Sequence, residues 1–111
     1  MDWKDTLRRT SAILAPLRRQ QAATANGFHE LHDAALAEGA LGTKEKELIA
    51  LGIAVSKQCV DCIGFHVKAA IAAGATRDEL AETVNVCVLM NGGPGYMYGA
   101  KVMEAFDALS A

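Results

Sequence analysis

The stretch Gln58-Cys59-Val60-Asp61-Cys62-Ile63-Gly64-Phe65-His66 constrains this chain more than any other. On a helix, Cys59, Cys62 and His66 stand at i, i+3 and i+7 and share one face. Two thiols that can close a disulfide, with an imidazole one turn further on, suit two-electron redox chemistry. The thiolate is the nucleophile in such chemistry. A helix N-terminus and a neighbouring imidazole both favour it over the thiol. Haem attachment is excluded, because Ile63 rather than a histidine follows Cys62. A structural zinc site would need further ligands, and only the lone Cys87 and the closely spaced His29 and His32 are on offer. Zinc binding and plain core cysteines therefore stand as alternatives to the redox reading.

A chain of 111 residues fits a single domain over residues 1–111. Its apolar fraction of 51% is generous for a small monomer, while aromatics supply only 5%. Close-packed helices rich in Ala, Leu, Val and Ile fit that balance, with some apolar surface left for other subunits. A net charge of −2 gives no electrostatic footprint for nucleic acid. The first residues contain no apolar signal region, which reads as a cytoplasmic start. Thr83 to Ala100 is uncharged but is broken by Asn91-Gly92-Gly93-Pro94-Gly95, so no membrane span is expected. An odd cysteine count, 3, argues for a reactive pair plus a bystander rather than a disulfide scaffold.

Along the chain, Asp2 is placed to cap a first helix with Trp3, Leu7, Leu14 and Leu17 as its apolar stripe. Arg8, Arg9, Arg18 and Arg19 fall on a solvated or intersubunit face. Pro16 is expected to break or kink that helix. A second helix follows to about Glu38, burying Phe28, Leu31 and Ala35, with His29 and His32 at its surface or boundary. Gly39 ends it. Thr43 is a good N-cap for the third helix, with Glu45 and Glu47 in its first turns. From Leu48 to Val55 that helix is apolar on every side and should run through the core. Glu47 at its threshold is either an ordinary first-turn acid or a carboxylate carried inside beside the thiols. Burial disfavours the charged form of an acid and makes such a group a usable proton acceptor and donor near neutrality.

The thiol helix is expected from about Cys59 to Ala73, stopped by Gly74, with Ala69, Ala70 and Ala73 letting another helix come close. Thr76-Arg77-Asp78-Glu79 is a capping box. It starts a helix whose core stripe is Leu80, Val84, Cys87, Val88 and Met90, with Cys87 an inert buried thiol. Asn91-Gly92-Gly93 ends it, and Pro94 opens a last helix with Tyr98, Val102, Phe106 and Leu109 inside. No segment shows sustained alternation, so no strands are expected and the fold class is all-α. A thioredoxin fold, with its Cys-x-x-Cys after a strand, is disfavoured.

Glu47, Cys59-Val60-Asp61-Cys62, His66 and the Gly92-Gly93-Pro94 turn together resemble the carboxymuconolactone decarboxylase superfamily, in its alkylhydroperoxidase AhpD-like branch, over roughly residues 35–109. The resemblance implies a bundle of about six helices, assembled as a homotrimer or homohexamer. It implies a peroxidase-type oxidoreductase without a cofactor. Cys62 attacks a hydroperoxide, Cys59 resolves, and His66 takes the proton with Glu47 behind it. The reductant that the resemblance implies is a lipoyl-type protein, and a thioredoxin-type donor stands beside it as an equal alternative. The alternative is a non-enzymatic oligomeric module that senses redox state or binds zinc. Cys59, nearer the helix start, is expected to be the more exposed sulfur. Asp61 stands where the family's best-known peroxidases carry a further histidine, and its anion opposes thiolate formation if it faces the site. Retention of both cysteines argues against the lactone decarboxylation that names the superfamily.

Overall fold

A computed structural model describes residues Met1–Ala111. Six helices make up the fold: α1 (Trp3–Gln20), α2 (Ala22–Leu36), α3 (Thr43–Ser56), α4 (Val60–Ala72), α5 (Arg77–Asn91) and α6 (Gly93–Leu109). There are no strands, and the all-α expectation holds. The helix pairs α3–α4 and α5–α6 form two hairpins that pack on each other, with α1 laid across α4 and α6. At their centre is an apolar core that includes Leu51, Ile63, Val67, Leu80 and Val102.

Most helix ends follow from local chemistry. Asp2 accepts the Asp5 amide and caps α1. Thr76 and Glu79 form the reciprocal capping box that starts α5. Gly74, at φ 90°, ends α4 in a left-handed turn in which Gly74 N–H donates to Ile71 and Ala75 N–H to Ala70. At the start of α3, Gly42 takes the cap position without a side-chain bond, and Thr43 is the first helical residue. The Thr43 hydroxyl instead donates to the Leu36 carbonyl, and Glu38 accepts its amide, so this threonine ties α3 back to the end of α2.

Several expectations are corrected. Pro16 lies inside an unbroken α1, and the chain turns at Gln21 (φ −119°, ψ 56°). Proline removes one donor to the Ala12 carbonyl. Both residues are exposed, so water can serve that carbonyl at small cost. Trp3 and Leu7 are buried as expected, but Leu17 is exposed, because only the first half of α1 lies on the bundle. Helix α2 buries nothing. Phe28 is 67% and Leu31 63% exposed, and Ala35 is exposed too, since α2 touches only α1 and α3. In α3, Leu51, Ala54 and Val55 are buried while Ile49 and Ile53 face outward, so this helix borders the core rather than crossing it. Met90 of α5 is likewise exposed.

Close helix contact rests on glycine. A Cβ on Gly95 would sit 2.6 Å from the Cys87 carbonyl oxygen and 2.8 Å from the Val88 Cα. One on Gly99 would meet the Val84 side chain. The α5–α6 hairpin therefore closes to backbone contact. Gly95→Ala must push the two helices apart, and we expect a loss of about 1–3 kcal/mol. Gly93→Ala, with open space at its Cβ position, should lose nothing. Urea unfolding followed by the fluorescence of Trp3, the one tryptophan, distinguishes the two variants.

Candidate active site

The site is assembled where α3 hands over to α4. Helix α3 ends in a left-handed turn: Gln58 N–H donates to Val55 and Cys59 N–H reaches back to Ala54, 3.1 Å. These are the two bonds of a Schellman motif, with Gln58 in the place usually given to glycine, at φ 57°. Cys59 then caps α4, its sulfur accepting the Cys62 amide at 3.3 Å. One residue thus closes α3 with its amide and opens α4 with its side chain. Cys59 and Cys62 are joined as a disulfide, their Cα atoms 5.2 Å apart.

Exposure of the two sulfur residues is the reverse of the expectation. Cys59 is half-buried and Cys62 exposed. The cap explains this, because a side chain that turns in to accept an amide of its own first turn is drawn toward the backbone. Cys62, on that first turn, is left facing outward.

Further along α4, His66 meets the acid. The side chain of Glu47 is 3% exposed, and no other charged residue of the chain is buried. Its Oε2 lies 2.7 Å from His66 Nδ1. No buried polar side-chain atom lacks a partner. The ordinary first-turn acid is Glu45, as its exposure shows. With the carboxylate accepting from Nδ1–H, the imidazole presents Nε2 as its proton-accepting nitrogen. The His66 side chain is 27% exposed, so that nitrogen lies between the core and the surface. His66 makes no hydrogen bond to either sulfur in this disulfide form. No three His, Cys, Asp or Glu side chains converge as ligands for a metal ion.

The remaining candidates lie elsewhere. Asp61 sends its carboxylate to α1, where Thr10 Oγ1 donates to Oδ1 at 3.0 Å. Cys87 is buried in the α3–α5 seam near the Gly52 carbonyl, and burial pushes its thiol pKa upward. His29 and His32 pair with the exposed Asp33 on α2. Two contributors carried no signal in sequence spacing. Gly64 lets α1 press on the thiol helix: a Cβ there would meet Leu7 at 2.6 Å and the Trp3 ring at 3.2 Å. Thr10 is the other, since a hydroxyl on an exposed stretch of α1 announces no partner 51 residues away.

The fold and site together define an all-α helical bundle with a Cys-x-x-Cys disulfide at a helix start and a buried acid bound to an imidazole on the same helix. The chain belongs to the carboxymuconolactone decarboxylase family, whose sequence profile matches residues 22–105. An uncharacterized protein of Cupriavidus necator is 40% identical over 110 residues, covering 99% of this chain and 97% of the relative. An uncharacterized protein of the Paracoccus denitrificans cox locus is 34% identical over 101 residues, 91% of each chain. Among solved structures, a family member from Legionella pneumophila, in its apo form, superposes with a TM-score of 0.95. It is 42% identical, over 98% of this chain and 97% of that one. A Thermotoga maritima family member, with a suggested part in an antioxidative response, gives a TM-score of 0.82. That match covers 95% and 90% of the two chains, and at 21% identity it speaks for the fold alone.

The left-handed Gln58 yields a direct test of how the handover is built. Glycine there removes the steric cost of a positive φ, so Gln58→Gly should raise stability by about 1 kcal/mol in urea titrations. Gln58→Val should lower it by at least as much, because a β-branched side chain fits this region worst.

Proposed function

We propose that this protein is a thiol-dependent peroxidase or disulfide oxidoreductase of the AhpD-like kind. It would reduce hydroperoxides through a Cys59/Cys62 dithiol–disulfide cycle. The observation that carries this reading is the buried Glu47 carboxylate bound to His66 on the very helix that starts with the cysteine pair. Burying an acid costs several kcal/mol unless it is well partnered. Here it orients one imidazole and fixes which ring nitrogen is free, as carboxylates do for histidines in many proton-transfer sites.

In the forward half-reaction, His66 Nε2 takes the Cys62 proton. The thiolate attacks the outer oxygen of ROOH, the S–O bond forms, and the O–O bond breaks. The alkoxide leaves as ROH with a proton returned by the imidazolium. Cys59 then attacks the Cys62 sulfenic sulfur; the S–O bond breaks, and the hydroxide leaves as water with the proton given up by the Cys59 thiol as the disulfide closes. Two thiols are oxidised and one hydroperoxide is reduced. The exposure of Cys62 supports its role as the attacking sulfur. It also makes Cys62, rather than Cys59, the sulfur that an external dithiol of lipoyl or thioredoxin type would engage. Reduced protein is therefore expected to consume a hydroperoxide and gain the Cys59–Cys62 disulfide by mass spectrometry, and Cys62→Ser to do neither. Absence of peroxide loss across several hydroperoxides would refute the assignment. Glu47→Gln should slow peroxide reaction by about ten- to a hundredfold. An unchanged rate in a folded variant would leave Glu47 a structural acid.

We also propose that the chain self-associates as a homotrimer or homohexamer. Helix α2 buries nothing within its own chain, and Phe28 and Leu31 on it are exposed large apolar side chains, as are Ile13 and Leu17 on α1. Phe28→Asp should lower the mass measured by light scattering without changing the helical signal. A wild-type chain that runs as a monomer at high concentration refutes this.

A further inference from the structure

The sequence leaves open which way Asp61 points, and with it whether an anion stands against the attacking sulfur. In the structure its carboxylate accepts the Thr10 hydroxyl of α1 at 3.0 Å, and Asp61, one residue before Cys62, stands about 100° from it around α4. We propose that Thr10 is a positioning residue for the thiol chemistry, holding the Asp61 carboxylate on the α1 side so that it opposes the Cys62 thiolate less. The inference rests on the thiol-chemistry reading and deepens it.

The geometry favours this in two ways. First, α1 is firmly placed against α4. Trp3 is fully buried and donates through Nε1 to Glu104 at 2.6 Å, and Leu7 and the Trp3 ring lie over the bare backbone of Gly64. Thr10, one turn beyond Leu7, is therefore presented at the level of Asp61, one turn before Gly64. Second, Asp61 has no cation to hold it. Its side chain forms no ion pair, and Thr10 is its one side-chain partner. The charged groups around the pair are few. On α4 they are Asp61 itself, His66 and, further along, Lys68. From α3 come Glu47, bound to His66, and Lys57, the C-cap residue two positions before Cys59. On α1, Arg8 is already engaged by Asp5 and Arg9 is exposed, while Glu104 of α6 is taken by Trp3. Without the Thr10 hydroxyl, nothing on this list draws the Asp61 carboxylate toward α1.

A carboxylate released to sample positions beside Cys62 disfavours the thiolate, so the sign of the effect is upward in the pH of thiol ionisation. For two solvent-exposed charges about 6 Å apart the whole repulsion is about half a unit, so release raises the midpoint by at most about that much, up to about threefold less thiolate below it.

The test is the pH profile of iodoacetamide alkylation at Cys62 in the reduced full chain, read peptide by peptide with mass spectrometry. Thr10→Val should raise the Cys62 midpoint by a few tenths of a unit, at most about half, and Thr10→Ser should restore it. Asp61→Asn should place the midpoint at or below that of wild type, and adding Thr10→Val to Asp61→Asn should change nothing further. A Thr10→Val midpoint equal to wild type overturns the proposal and leaves the peroxidase reading intact. A shift that persists in the Asp61→Asn background also overturns it, because Thr10 would then act through packing. If the wild-type midpoint is no lower than that of an ordinary cysteine yet Thr10→Val still raises it, Thr10 keeps its role and the activated-thiol reading falls.

Discussion

The hydrogen bond between Glu47 and His66 is the interaction on which this architecture turns. A carboxylate almost closed off from water is tolerable only with a good partner, and the partner comes from the next helix. That requirement fixes the register of α3 against α4: a slide of one residue would strand the acid in an apolar seam. The Schellman turn at Lys57–Cys59 secures the same register from the other end of the hairpin. Two independent constraints, one electrostatic and one of backbone geometry, therefore place the imidazole and the cysteine pair on one rigid element.

Around that hairpin, packing is set as much by what side chains leave out as by what they fill. Gly64 admits the Trp3 ring and Leu7, which brings α1 down onto the thiol helix. Gly95 and Gly99 admit α5 to the backbone of α6. Surface ion pairs add orientation. Lys44 and Glu79 link α3 to α5, and Arg77 and Asp107 link α5 to α6. Each holds its acid below the usual carboxylate range, Glu79 through the Lys44 hydrogen bond and Asp107 through that of Arg77. Exposed pairs of this kind contribute little stability compared with the buried seams.

Sequence periodicity reads these helices well wherever a local bond decides the matter. The Asp2 cap, the Thr76–Glu79 capping box, the Gly74 stop and the Pro94 start are all settled within a few residues. Pro16 shows the limit of such rules, because its penalty depends on whether the orphaned carbonyl meets water, and that is a tertiary fact. Phe28 and Leu31 show another. An apolar stripe says that a face wants cover, but not that the same chain supplies it. At the site, the spacing of Cys59, Cys62 and His66 was legible because helical geometry alone puts them on one face. Burial of Glu47 was not decided by pattern, since an acid in the second turn of a helix can lie in or out depending on what packs there. The relative exposure of the sulfurs was misjudged for a specific reason. Nearness to a helix start suggests exposure, but a capping side chain turns back on the amides it serves.

Cys59 is the joint where these constraints meet. Its amide completes the C-terminal cap of α3, its sulfur completes the N-terminal cap of α4, and that sulfur is bonded to Cys62. Moving the cysteine pair relative to Glu47 would break a cap on each helix and disturb the bond between the acid and His66. The arrangement leaves freedom only on the outer side, at the exposed Cys62. The exposed Cys62 leaves the disulfide open to an external reactant, while the Glu47 carboxylate that holds His66 stays closed off from water. Such a division follows from one helix carrying the cysteine pair at its start and the imidazole that meets the buried acid at its middle.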